Sequence, residues 1–301
     1  MRSAPVPRRF RQVDVFAEEP GRGNPVAVVL DANGLDDATM QRFANWTNLS
    51  ETTFVLPPTT ADADYRVRIF TPSAELPFAG HPTLGTCHAW LAAGGRPANL
   101  QAAVQECGAG LVRVRLGSED GGATGEATGG ATGGAPRARL AFAAPPLVRS
   151  GAVEPGLLAR VVGLLGLDPA DVVDAAWVDN GPGWMALLLP DAEAVLAVEP
   201  GPLDDLFVGV VGPHPPGSPT TIEVRGFFPV SGSTVEDPVT GSLHASLAQW
   251  LVGAGRLAAP YVATQGTRLG RAGRIHVEQD PDGTIWVGGS ARSVVEGTVH
   301  L

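Results

Sequence analysis

Apolar and polar residues alternate or cluster over short stretches of the chain, and the pattern predicts many strands and few helices. Val13–Phe16 and Val26–Leu30 read as strands separated by a turn containing Gly and Pro, and Thr52–Leu56 and Tyr65–Phe70 follow with the same β-branched and aromatic bias. Between them Leu35, Met40, Phe43 and Ala44 fall on one helical face, which predicts a helix over Asp36–Asn48. Further helices are expected at Pro82–Ala93, closed by Gly94-Gly95, near Pro155–Leu165, near Asp191–Val198 and at Pro238–Val252. Strands are expected at Leu111–Leu116, Arg139–Phe142, Ala175–Val178 and Met185–Leu189, and the ending is strand-rich at Ile275–Val277, Thr284–Val287 and Ser293–Val299. The run Gly121–Gly134, which repeats Gly-Ala-Thr-Gly imperfectly, buries too little apolar surface to offset ordering and reads as a flexible loop or linker without chemistry.

The two most apolar helices open alike. Gly80–Ala89 returns as Glu236–Ala245 in the shared frame Pro-x-x-Gly-(Thr/Ser)-x-His-Ala, and Val67–Pro72 precedes the first copy much as Val224–Pro229 precedes the second. A weaker echo links Gly23–Ala32 with Gly183–Ala192. Two pseudo-equivalent halves follow, 1–135 and 136–301, with the last strand a candidate to return to the first half. The fold class expected is α+β, each half a mixed, mostly antiparallel sheet curled around a central helix, with both helix starts at a cleft between the halves. Pro82 and Pro238 near the first helical position put His81 and Asp237 at or beside the caps, while Gly85, Thr86, Gly241 and Ser242 fill the first turns. Bare N–H groups at such a start favour an anion by about 0.3–1 kcal/mol beyond its hydrogen bonds, so two starts suit a small acid. Gly80 and Gly241 would act through close backbone approach. As ordinary structural residues, His81 and Asp237 would simply cap their helices, and His88 and His244 read as packing residues with a hydrogen-bond partner.

Composition narrows the function. With 301 residues, 44% hydrophobic and 17% charged, the chain is long enough for two cores of ordinary size. It contains no apolar run near the roughly 20 residues that span a bilayer, and MRSAPVPRRF lacks the apolar core of a signal peptide, so a cytoplasmic protein without membrane contact is expected. The net charge of −10, without an array of basic residues, argues against nucleic acid. Cys87 and Cys107 make neither a disulfide framework nor a zinc set, and there is no Walker loop, Rossmann glycine run or Ser-His-Asp order. No metal and no cofactor is expected.

Motifs spread over nearly the whole chain resemble those of the PhzF-like phenazine-biosynthesis family, which shares the fold of diaminopimelate epimerase. They are Val13–Phe16, Gly23–Val29, Asn48–Thr52, Arg68–Pro72, Glu75–Gly85, Glu236–Ser242 and Gln265-Gly266. The resemblance implies two similar domains, no cofactor, a homodimer, and Glu51 as the acid/base, completed by His81, Asp237 and Ser242. Glu51 is then expected to be partly desolvated, its pKa raised toward the working pH. Catalytic candidates are thus Glu51, His81 and Asp237, and substrate-binding candidates are Asn24, Gly80, Thr240, Gly241 and Ser242. Diaminopimelate epimerase uses a thiol at each helix start, where this chain has Gly80-His81 and Glu236-Asp237; its cysteines lie elsewhere, which favours an isomerase. The expected reaction shifts a proton and a double bond in a small anionic unsaturated acid of the 2,3-dihydro-3-hydroxyanthranilate type, in specialised metabolism. The alternatives are an amino-acid epimerase or racemase, and a catalytically silent small-acid-binding protein of the same fold.

Overall fold

A computed structural model of the protein describes residues 5–117, 139–230 and 232–301, so the Gly121–Gly134 run lies outside the described residues. Two units divide the chain, Met1–Ala143 with Gly288–Leu301, and Ala144–Val287. Both are α+β, with a mixed sheet and few helices.

The first unit holds β1 (Pro7–Val15), β2 (Asn24–Val29), α1 (Asp37–Thr47), β3 (Glu51–Leu56), β4 (Tyr65–Phe70), β5 (Glu75–Leu76), α2 (Gly80–Ala92), β6 (Ala102–Cys107), β7 (Gly110–Gly117) and β8 (Arg139–Ala143). Its sheet is a closed ring. β1 lies antiparallel to β2, β2 runs parallel to β3, β3 is antiparallel to β4, β4 is parallel to β6, and β6, β7 and β8 continue antiparallel. The C-terminal strand closes it by pairing with β8 and with β1, in a register that sets Pro7 opposite His300 and Val15 opposite Ala291. A closed sheet leaves no edge exposed, and its interior accepts one apolar helix. That helix is α2, which packs on β1, β2, β3, β6, β7 and β8, and every residue from Gly80 to Ala89 is buried. Gly85 is there because nothing larger fits: a Cβ would lie 2.3 Å from Val26 Cγ1. Alternation along β3 serves two layers, since Thr53 Oγ1 accepts from Thr86 of α2 at 2.8 Å while Phe54 packs with Met40, Phe43 and Ala44 of α1.

The second unit holds β9 (Arg149–Ala152), α3 (Pro155–Leu164), β10 (Asp174–Asp179), β11 (Trp184–Leu188), α4 (Ala192–Ala197), β12 (Phe207–Pro213), β13 (Ile222–Val230), β14 (Ser233–Asp237), α5 (Gly241–Gly253), β15 (Tyr261–Gln265) and β16 (Gly273–Gln279). β9, β10 and β11 are antiparallel, β11 and β12 parallel, β12 and β13 antiparallel, β13 and β15 parallel, and β15 and β16 antiparallel, with β14 a hairpin partner of β13. One core joins Val161, Val162 and Leu165 to Val195, Met185 and Phe227. The final strand, β17 (Ile285–His300), passes from this unit into the first.

Three boundaries differ from the sequence expectation. β1 starts at Pro7 because its partner is the long C-terminal strand. The two strands expected at Thr284–Val287 and Ser293–Val299 are one continuous strand, Ile285–His300, and Gly288 within it marks a close approach, since a Cβ there would meet the Leu140 carbonyl oxygen at 2.5 Å. α5 starts at Gly241 rather than Pro238, because the Thr240 N–H and hydroxyl are engaged by side chains and hold that residue extended at φ −107°, ψ 93°.

Candidate active site

In the first unit the candidate residues are delivered by three chain turns. Asn48 ends α1 in a left-handed conformation, φ 54°, with its N–H on the Ala44 carbonyl; three residues later Glu51 opens β3, in register with Val26 of the parallel neighbour. Asp14, nearly fully buried, accepts from the Arg22 N–H at 3.0 Å and the Gly23 N–H at 3.1 Å, which fixes the turn that feeds Asn24 into β2. His81 is the second residue of α2, followed by Pro82, which costs the first turn no hydrogen bond. The cap position is Ala79, so no side chain caps this helix; His81 lies at the second helical position, within the first turn rather than on the cap.

These turns bring Asn24, Glu51 and His81 together. His81 Nε2 lies 3.2 Å from Glu51 Oε2, close enough for an ion pair but without the alignment of a full hydrogen bond, and Asn24 Nδ2 lies 3.3 Å from His81 Nδ1. The imidazole is 5% exposed and the carboxylate 15%. Burial drives the His81 pKa down to about 3, against a smaller opposing pull from the Pro25 carbonyl, so the ring is neutral at ordinary pH. A neutral imidazole offers one N–H and one lone pair, and here one nitrogen faces an amide and the other a carboxylate. The Asn24 amide N–H meets Nδ1 only while that nitrogen carries its lone pair, so this contact goes with the ring proton on Nε2, facing Glu51.

In the second unit the structure groups Asp237, Thr240, Gly241 and Ser242. Asp237 is buried at the end of β14, three residues before the cap of α5 rather than on it. Its Oδ2 accepts the Thr240 hydroxyl at 2.7 Å. Ser242 Oγ accepts from Trp184 Nε1 at 3.1 Å, and its carbonyl from Asn180 Nδ2 at 2.9 Å. Neither α2 nor α5 has a side chain capping its first turn. Four contributors carried no role in the sequence reading: Asp14, Asn180, Trp184 and Gln265. Asp14 and Gln265 sit inside motifs quoted above and Trp184 inside the weaker echo Gly183–Ala192, which was the available signal; Asn180 had none.

The remaining buried ionisable groups are structural. His88 Nε2 accepts the Ser293 N–H at 3.2 Å, anchoring the C-terminal strand, and burial lowers its pKa to about 4. Burial pushes the Cys87 thiol up to about 12, and Cys107 is also raised, so neither is a ready nucleophile. Among the described residues no three His, Cys, Asp or Glu side chains are grouped to hold a metal ion, and no helix is long and apolar enough to cross a membrane.

Residues 13–297 match the model of the phenazine biosynthesis-like protein family, PhzC-PhzF. The chain belongs to the phenazine biosynthesis-like family. Within reach of this family, it is 33% identical over 307 residues to trans-2,3-dihydro-3-hydroxyanthranilate isomerase of Pseudomonas aeruginosa, covering 97% of this chain and 99% of that protein. It is also 33% identical over 305 residues to antisense-enhancing sequence 1 of Schizosaccharomyces pombe, covering 96% and 97% respectively. A solved PhzF-family structure from Bacillus anthracis superposes with a TM-score of 0.77 at 22% identity, over 98% of this chain and all of that one. Like its phenazine biosynthesis-like relatives, the protein is an isomerase.

Proposed function

We infer that this isomerase works without a cofactor, moving a proton and with it a double bond within a small anionic unsaturated cyclic amino acid of the trans-2,3-dihydro-3-hydroxyanthranilate type. The observation that carries this reading is the Glu51 carboxylate 3.2 Å from a buried neutral imidazole. Glu51 takes a proton from one carbon of the substrate and returns it to another, so the formula is unchanged and only the double bonds move. His81 donates to or accepts from Glu51 while remaining uncharged between steps, and Asn24 holds the ring. Asp237 polarises or orients the substrate, and the uncapped first turns with Gly80, Gly241 and Ser242 favour its carboxylate. The relative in Pseudomonas aeruginosa supports the substrate class. Epimerisation through paired thiols is disfavoured by the raised Cys87 and Cys107 pKa values. In finer detail, the reading takes the two units as pseudo-equivalent, diaminopimelate epimerase-like copies, and the active protein as a cytoplasmic homodimer.

The deciding experiment follows trans-2,3-dihydro-3-hydroxyanthranilate by NMR in D₂O with wild type and Glu51→Gln. Wild type is expected to move the double bonds and place deuterium on a ring carbon. The variant should keep its fold and lose about 100-fold or more in rate. Full turnover by Glu51→Gln removes Glu51 from the mechanism, and an inert substrate with wild type removes the substrate class.

A further inference from the structure

Gln265, the last residue of β15, is fully buried, and every hydrogen-bonding capacity of its side chain is used around the start of α5. Oε1 accepts the Thr240 N–H at 2.9 Å and faces His244 Nε2 at 2.9 Å, while Nε2 donates to the Asp237 carbonyl at 3.1 Å and to Thr240 Oγ1 at 2.8 Å. Two backbone groups assign the direction of the amide without ambiguity. The Thr240 N–H can only donate and the Asp237 carbonyl can only accept, so the oxygen must face the first and the nitrogen the second. Proton positions then follow along the network. Oε1 accepts, so His244 carries its proton on Nε2; Thr240 Oγ1 receives from Gln265, so its own hydrogen is directed to Asp237 Oδ2, 2.7 Å away.

The surrounding chain is shaped to this amide. A Cβ on Gly226 would come within 2.9 Å of Thr240 Oγ1 and 3.5 Å of Gln265 Nε2, and Gly266, at φ +87°, has room for no Cβ because the Pro238 carbonyl oxygen lies 2.5 Å from where it would sit. Glu223, 1% exposed, holds both sides of Gln265: its carboxylate accepts the Thr264 hydroxyl and, at 2.7 Å, the Thr267 hydroxyl.

We propose that Gln265 is a positioning residue for Asp237: it commits the Thr240 hydroxyl as a donor and so fixes the Asp237 carboxylate in one orientation before α5. This rests on the reading above only where it concerns turnover. The direct test is crystallographic, comparing wild type with Gln265→Leu and Thr240→Val, the second leaving the amide in place should the first fail to fold. A turned Asp237 carboxylate in either variant is expected, and an unmoved one in a folded variant overturns the proposal. In kinetics with trans-2,3-dihydro-3-hydroxyanthranilate, both variants should lower kcat by about 10–100-fold with KM nearly unchanged. The double variant should lose no more than the worse single one. Losses that multiply, or a variant with lowered thermal stability but wild-type kcat, overturn the positioning role. Asp237→Asn separates the two claims: full activity there removes Asp237 from the mechanism while the crystallographic arm still decides what Gln265 orients.

Discussion

At the scale of single residues, the site depends on the contacts its side chains make with one another. Asn24 is fully buried with its amide on His81 Nδ1, so replacing it with Leu keeps approximate volume and removes the partner that indexes the ring. Asn24→Leu is expected to lower kcat about 10–100-fold, and ¹⁵N NMR of the His81 ring should show a changed tautomer balance; wild-type values in both would separate Asn24 from the His81–Glu51 pair. His81 and Asp237 were legible as candidates because each sits in a duplicated motif beside a helix start, and Glu51 only through the family resemblance of its motif. Asn24 was a candidate too, but the buried amide of Gln265 was not. A Gln or Asn carries no charge pattern or periodicity that announces its role, and Gln265 becomes meaningful only when Thr240, His244 and Asp237, 25, 21 and 28 positions away, arrive around it.

At the scale of elements, the apolar spacing of α1, α2, α3 and α4 gave their positions closely, because each has one sustained buried face or a clear cap such as Asp36 or Asp191. The start of α5 was read three residues early, since proline marks where a helix is permitted and not where tertiary hydrogen bonds allow it to begin. Tight packing of α2 inside its closed sheet leads to a stability prediction. Gly85→Ala adds helix propensity yet drives a methyl to 2.3 Å from Val26 Cγ1 and 3.0 Å from Val15 Cγ2, so the clash dominates. A net loss of about 1–3 kcal/mol in urea denaturation is expected, and a more stable variant would show that α2 has slack against β1 and β2.

For the whole molecule, three buried histidines set the response to acid. His81, His88 and His244 are held near pKa 3, 4 and 4 by burial, against about 6.5 in an unfolded chain, so the unfolded state binds more protons as pH falls below 6.5. Their contribution to stability is whole above that value and declines through pH 5 to about 4, by up to about 1.4 kcal/mol per pH unit for each ring. Urea denaturation at pH 7, 5.5 and 4.5 should show this steep fall, and His88→Gln, which retains an acceptor for the Ser293 N–H, should flatten it. An unchanged slope would mean that His88 is protonated in the fold. The closure of the first unit by its last strand also bears on synthesis. β1 leaves the ribosome before the second unit is made, and its partner Ile285–His300 only after it. At about 5–20 residues per second the intervening Ala144–Val287 takes roughly 7–30 s to appear, during which β1 and β8 expose open edges while the later unit is still being made. The nascent chain is therefore a natural client for a chaperone that shields sheet edges, and the half synthesised first is the half that finishes last.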